Sequence, residues 1–195
     1  MWEQIAEPMA GRFVRLEPLA PHHADRLREA AGDDRIWRWM PLDPRPAFDA
    51  WMEDALTRRR DGLDVPFATV DLAAEAPIGS TRYLALRPEH RSVEIGWTWV
   101  SPAAWGTGAN VEAKLLMLTR AFDELGCVRV EFKTDALNER SRRALEALGA
   151  TFEGIHRKHM LVRGGERRDS AWYSVLDEEW AEVQAHLRRR LAAAR

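Results

Sequence analysis

The sequence predicts a single α/β domain built on a mixed sheet, and three observations predict it. Alternating segments rich in β-branched residues follow one another at short spacing through the middle of the chain. A glycine-rich turn after residue 100 then changes the apolar period from two to between three and four. From there strand, helix, strand and helix alternate, which calls for a parallel pair joined by a crossover. With 195 residues, 46% of them hydrophobic, the chain is long enough to bury one compact core.

The elements read in order as follows. FVRLEPL (13–19) is a first strand, and PHHADRLREAA (21–31) a helix with Pro21 in its first turn. RPAFDAWMEDALTRRRDG (45–62) places apolar residues at 48, 51, 52, 55 and 56, a helical stripe that Gly62 closes. Strands VPFATVDL (65–72), APIGSTRYLAL (76–86) and SVEIGWTWV (92–100) read as consecutive and antiparallel. In the last of these, alternation puts Val93, Ile95, Trp97 and Trp99 on one face and Glu94 and Thr98 on the other. Val111, Leu115, Leu118, Phe122 and Leu125 then recur at helical steps. VRVEFKT (128–134) is a fifth strand, and NERSRRALEALGA (138–150) a helix stopped by Gly149. TFEGIHRKHMLV (151–162) and ERRDSAWYSVL (166–176) form a hairpin around Arg163-Gly164-Gly165, and 177–194 is a closing helix. Arg188, Arg189 and Arg190 suit a solvated helix end.

Composition excludes several classes. Lys and Arg number 29 against 31 Asp and Glu, a net charge of -2, so no global field draws the protein to nucleic acid or anionic lipid. The one cysteine, Cys127, rules out an internal disulfide framework and a Cys-rich zinc site, and its apolar surroundings predict burial. The first residues, MWEQIAEPMAGR, lack the basic start and apolar stretch of a secretory signal, and no segment is apolar over the ~20 residues that span a bilayer. A cytoplasmic protein is the expectation. His156 and His159, three apart on a predicted strand, should point to opposite faces, and no histidine cluster has zinc spacing, so no metal is expected.

Trp105-Gly106-Thr107-Gly108-Ala109-Asn110 joins strand to helix. Gly106 and Gly108 open backbone conformations closed to other residues, and the unpaired amides of a helix start can hold an anion. Asn110 suits the N-cap; Glu112 suits the helix dipole but would oppose a phosphate placed close to it.

These segments, SVEIGWTWVSPAAWGTGANVEAKLLMLTRAF followed by FKTDALNERSRRALEALGATFEGIHRKHM, resemble the GNAT superfamily of N-acetyltransferases, most closely its RimJ/RimL-like branch of ribosomal-protein N-terminal acetyltransferases. The resemblance spans about 11–180 within one domain. It implies helices on both faces of a mostly antiparallel sheet, with the fourth and fifth strands parallel and splayed to admit the pantetheine arm of acetyl-CoA. In that superfamily the turn reads Gln/Arg-x-x-Gly-x-Gly/Ala and its amides bind pyrophosphate. Here Trp105, Gly108 and Asn110 stand at the three defined positions, and two of them depart from the pattern. The cofactor set it implies is Trp99, Val100, Trp105, Gly106, Thr107, Gly108, Ala109, Asn110, Asn138 and Ser141. Lys114, Arg140, Arg142 and Arg143 are available to the remaining phosphate.

The resemblance also frames the chemistry. Asn138 and Ser141 match a pantetheine-contacting Asn and a small or hydroxyl residue three positions on; Leu145 fills the place where many members carry a Tyr acid. Ser141 is then the candidate acid for the leaving thiolate, and Glu94 the candidate base, with Asp135 competing. Asn138 is equally suited to capping its helix, and Glu94 to pairing with a neighbouring cation. Backbone amides around Trp99 and Val100 are expected to meet the charge on the acyl oxygen. Trp37, Trp39 and Met40 fall where the superfamily builds one wall of the acceptor pocket, although they could instead be core. The expected reaction is direct acetyl transfer to a primary amine, a protein N-terminus or a small molecule. The alternative is a coenzyme A-binding module without turnover. An α-amine of pKa near 8 is about one-tenth neutral at pH 7 and a lysine near 10.4 about once in 2,500, a difference of about 3 kcal/mol, so an α-amine asks less of the base. The exposed hairpin edge and the last helix, with Trp180, offer surface for a homodimer.

Overall fold

The structure, a computed structural model, describes residues 2–42 and 47–194. Its eight-stranded sheet has the order β1-β2-β3-β4-β5-β6-β8-β7. The strands are β1 (Met9–Ala10), β2 (Val14–Pro18), β3 (Val65–Asp71), β4 (Ala76–Arg87), β5 (Ser92–Val100), β6 (Arg129–Asp135), β7 (Thr151–Val162) and β8 (Glu166–Leu176). The helices are α1 (Ala24–Ala30), α2 (Ala47–Arg60), α3 (Ala109–Thr119), α4 (Glu139–Leu148) and α5 (Asp177–Ala193). Every neighbouring pair is antiparallel except β5 and β6. This is the mixed GNAT-type α/β architecture read from the sequence. Strand β1 is an addition, too short to show a period. Residues 45 and 46, at the head of the expected helix 45–62, lie outside the described residues.

The sheet separates two cores. Val14, Leu16, Phe67, Tyr83, Val93 and Ile95 face α3, α4 and α5, where Met117, Leu118, Leu145 and Leu187 meet them. On the other face Leu19, Leu27, Phe48, Trp51 and Trp99 pack between the sheet, α1 and α2. Trp180 belongs to the first core, stacked on Phe122 at 5.3 Å with its indole N–H on Asp123 at 2.7 Å, so it is not the surface residue expected for a dimer contact. Cys127 is buried, and that burial pushes its thiol up to about 11, which leaves it a poor nucleophile.

Two irregularities overturn the simple alternation. In β5, Trp97 adopts a positive φ of 49°, and the register against β4 slips between Ser80–Trp99 and Arg82–Gly96. Two residues, Trp97 and Thr98, thereby oppose one, and the strand changes face. Val93 and Ile95 keep the α3 side, but Trp97 and Trp99 join the α1/α2 core, while Thr98 turns to α3. In β7, Lys158 has φ 51° and the register slips between His156 and Met160. His156 and His159 therefore fall together, both against Trp172 at 4.9 and 5.5 Å, rather than on opposite faces.

Glu112 is buried in the first turn of α3, and its carboxylate accepts backbone N–H groups of Arg12, Phe13 and Val14 at 2.7, 2.6 and 2.8 Å. A Cβ at Gly11 would sit 2.3 Å from that carboxylate, so glycine is what allows the approach. The charge that threatened a phosphate is thus spent behind the turn, tying β2 to α3. Replacing Glu112 by Gln should set an amide NH2 against these donors and cost about 3 kcal/mol, read as a fall of roughly 6–12 °C in Tm.

Candidate active site

β5 and β6 pair only at Ser92–Arg129, Val93–Val130 and Glu94–Glu131, and then part. The gap is a cavity of about 450 Å3 lying between the start of α3, α4 and the end of the β7–β8 hairpin. Eight of the expected cofactor positions line it: Trp99, Val100, Trp105, Gly106, Thr107, Asn110, Asn138 and Ser141. Glu94, Trp39 and Met40 also line it; Gly108, Ala109 and Trp37 do not. Gly108 and Ala109 are buried under the turn, with Phe13 and Ala194 against Gly108. Trp37 points into the α1/α2 core, its indole N–H on the Ala31 carbonyl at 3.0 Å and its ring beside Trp51 and Trp99. The aromatic wall is therefore Trp39 with Met40.

The turn forms as its glycines require. Gly106 has φ 77°, and α3 begins at Ala109 with Gly108 at the N-cap. Asn110 is therefore not the cap: it is the second helical residue, and its Oδ1 is buried without a partner among the described residues. Thr107 does the local work instead, its hydroxyl donating to the Ala104 carbonyl at 2.8 Å and accepting the Ala109 amide at 3.2 Å. The amides of Gly106, Gly108, Asn110 and Val111 have no backbone or side-chain acceptor among the described residues. Unpaired donors at a helix N-terminus, with the dipole behind them, suit a phosphate.

Trp105 leans across the mouth of the gap. Its indole N–H donates to the Val100 carbonyl at 2.9 Å, and its ring carries the Arg140 guanidinium at 3.8 Å and that of Arg35 at 5.1 Å. Of the four basic candidates, Lys114 and Arg140 line the cavity and Arg142 and Arg143 do not. Arg142 is held by the Tyr173 hydroxyl and Arg143 by Glu139. Arg190, read as part of a solvated helix end, instead lines the cavity and donates to the Ala147 carbonyl at 2.6 Å.

Asn138 caps α4, its Oδ1 accepting the Ser141 amide at 3.2 Å, so the capping reading holds while both residues also line the cavity. Leu145 lines it too, at the place where a Tyr acid was absent from the sequence. Glu94 sits at the fork where the strands part. It is buried and pairs with Lys133 Nζ at 2.7 Å across the opening. Burial raises its pKa, and the Lys133 charge and hydrogen bond only partly offset that. Asp135 does not line the cavity; it accepts the Leu137 amide at 2.9 Å and lies near Arg163 and Arg168. Glu17, His22 and His23 form the one cluster of potential metal ligands found among the described residues. There the His23 ring already accepts the Ala20 amide at 3.1 Å and meets Glu17 at 3.0 Å.

Lys133, Arg168, Met160 and Arg190 are among the lining residues that sequence reasoning passed over. Lys133 carried a weak signal, alternating with Phe132 on a strand leading to the gap; the others depend on the β7 bulge and on helix docking, which have no local signature.

Lys114 lies buried under the β5 bulge, with Nζ donating to Thr98 Oγ1 at 2.6 Å and Thr81 Oγ1 at 3.1 Å. A neutral amine has two N–H groups for those two acceptors, and burial lowers its pKa to about 7. Since the folded pKa lies below the unfolded value near 10.4, charging the amine destabilises the fold. That penalty is complete below pH 7 and fades as pH rises toward 10. Lys114→Met should therefore raise Tm at pH 6–7, by several degrees, with the gain over wild type shrinking between pH 7 and pH 10 in thermal melts.

Comparison with known proteins agrees with this geometry. Residues 14–151 match the family described as Acetyltransferase (GNAT) domain. The chain is 28% identical over 172 residues to the Bacillus subtilis protein named Putative ribosomal N-acetyltransferase YdaF, covering 86% of this chain and 93% of that one. It is 34% identical over 86 residues to the Aspergillus fumigatus FsC-acetyl coenzyme A-N(2)-transacetylase, covering 44% of this chain and 37% of that one. The crystal structure of a GCN5-related N-acetyltransferase from Brucella melitensis superposes with a TM-score of 0.87 at 33% identity, over 95% of this chain and 86% of that one. A phosphate-suited turn, a forked strand pair and a matching family over most of the length lead to one conclusion: the chain belongs to the GNAT family of N-acetyltransferases.

Proposed function

We propose that this protein transfers the acetyl group of acetyl-CoA directly to a primary amine, with Glu94 as base and Ser141 as acid. The observation that carries the reading is that one cavity holds both the unpaired amides of the α3 turn and the buried carboxylate of Glu94. Among the described residues the same cavity is lined by four cationic side chains, Lys133, Arg140, Arg168 and Arg190, against one acidic one. That balance suits a polyanionic donor.

The residues present fit such a donor. The amides of Gly106, Asn110 and Val111, which line the cavity, would hold its pyrophosphate, and Arg140 and Arg190 would supply cationic partners. The family's GNAT members generally use acetyl-CoA, which when bound supplies a thioester activated for acyl transfer. Glu94 takes a proton from the amine nitrogen as the N–C bond forms; Ser141 gives one to sulfur as the C–S bond breaks. Trp99 and Val100 line the gap, the Val100 carbonyl accepting the Trp105 indole N–H, and backbone N–H groups there serve the acyl oxygen. Lys133 keeps Glu94 oriented, and its cation favours the ionised carboxylate that can take a proton.

Titration calorimetry with acetyl-CoA and a thiol-release assay test this. Binding should be seen at micromolar to millimolar cofactor, and its absence at millimolar concentration overturns the proposal. Glu94→Gln should lower kcat by about 100-fold or more while leaving acetyl-CoA affinity unchanged. In the wild type, activity should rise with pH through a limb set by Glu94, placed above the ordinary carboxylate range because burial raises its pKa; the Gln variant should lose that limb. Ser141→Ala should lower kcat about 10-fold, and unchanged turnover in both variants would remove these roles.

A further inference from the structure

Three arginines are buried among the described residues: Arg82, Arg120 and Arg168. Arg82 reaches Asp54 at 2.6 Å, Asp64 at 3.3 Å and the Trp51 carbonyl at 3.3 Å. Arg120 bonds Glu124 and the carbonyls of Gln4, Glu7 and Pro8. Arg168 differs. It is 7% exposed and lines the cavity, and whereas Arg82 leaves only its Nε unpaired, no nitrogen of the Arg168 side chain makes a hydrogen bond among the described residues. The nearest carboxylate oxygen, Asp135 Oδ2, stands 3.9 Å from Nε, too far for a hydrogen bond, and Arg163 approaches that same oxygen at 4.0 Å. A guanidinium presents five donors in a planar fork, and burying it without acceptors is costly. The fork matches a carboxylate, which can take two parallel N–H bonds.

The surroundings favour an anion there. Glu94 is the sole acidic side chain lining the cavity among the described residues, and Lys133 already pairs with it. His159 is held below its usual pKa by burial and by Lys133, His156 and Arg168, so added positive charge is resisted. A polyamine or a lysine-rich acceptor finds no unpaired carboxylate to greet it. Met160, Trp39 and Met40 complete this end with apolar and aromatic surface. Arg163 ties the hairpin turn to the carbonyls of Arg38 and Met40 at 3.2 and 3.0 Å, which bounds the acceptor end on the hairpin side.

We propose that the acceptor is a small amino-carboxylic acid, its carboxylate held by Arg168 and its amine presented to Glu94. This rests on the acetyl-transfer reading above and names its substrate class. A zwitterion meets opposite charges at the two ends of its own short frame. Arg168 acts on specificity by binding substrate; acyl transfer itself is left to Glu94 and Ser141.

The test compares matched probes on wild-type protein: the common amino acids, their carboxamides, and tripeptides beginning with the same residues, each with acetyl-CoA in a thiol-release assay. Binding of each probe to the coenzyme A-loaded protein is followed by calorimetry. At least one amino acid should exceed its own carboxamide and tripeptide by about 30-fold or more in kcat/KM, chiefly through KM. Arg168→Met should bring that ratio close to one, and Arg168→Lys should restore part of it, with acetyl-CoA affinity unchanged in both. Should either variant fold poorly in thermal melts, the wild-type ratio of acid to carboxamide decides alone. Carboxamides or tripeptides used as well as the free acids overturn the inference while leaving acetyl transfer standing. So does coenzyme A binding with no amino acid bound or acetylated. Loss of acetyl-CoA binding in the wild type overturns both together.

Discussion

The parting of β5 and β6 is the constraint on which the rest of the structure depends. Two parallel strands that stay paired leave no room between them; these two separate after three residue pairs. Once they part, the peptide edges beyond Glu94 and Glu131 lose their sheet partners and must face something else. Lys133 bridges from β6 to Glu94 on β5 at the point of separation, a side-chain tie where backbone ties end. Glu131, the neighbour that would repel Glu94, is engaged by Arg87 and Arg129, both at 3.0 Å. The fork is thus also an electrostatic arrangement, with the candidate base at its crotch.

The bulge at Trp97 and Thr98 is the second device, and it is gripped from both faces of the sheet. Lys114 on α3 holds Thr98 from one side; on the other, the Arg82 guanidinium lies 4.6 Å from the centre of the Trp97 ring and is itself fixed by Asp54 and Asp64. A positive φ at a bulky aromatic residue is disfavoured and persists where the surroundings over-determine it. Here a buried side chain on each face, Lys114 and Arg82, does so. The bulge redirects β5 so that Trp99 seals the α1/α2 core while the strand's last peptides run into the gap.

Much of this was legible in the sequence. Element order, the parallel pair, the strand-to-helix turn and the α4 cap each leave a local signature of period, glycine or capping residue, and each stands where it was read. Glu94, Asn138 and Ser141 came with the motif, and they line one cavity. What failed was whatever depended on unbroken alternation: the face of Trp97 and Trp99, and the separation of His156 from His159. A bulge adds residues without any composition that announces it, one in β5 and two in β7, since Trp97 and Lys158 both take positive φ without being glycine. Asn110 lost the cap to Gly108 because the helix begins two residues sooner than its polar side chain suggested. Trp37 was assigned to the wall with Trp39, two positions away, when a short 3-10 turn over Asp34–Ile36 sends it inward. Arg168 had no local signal at all, because its burial is a property of the assembled hairpin and cavity.

The grip of Arg163 has a consequence for how such a protein can change. It holds Arg38 and Met40 by their carbonyl oxygens, which every amino acid possesses, and not by their side chains. This tie between the wall that borders the acceptor and the hairpin therefore runs through the wall's main chain. Residues along it can be exchanged without loosening the fastening, so the architecture is inherited while the surface it presents drifts. Selection on substrate preference and selection on folding act here on different atoms of the same peptide segment.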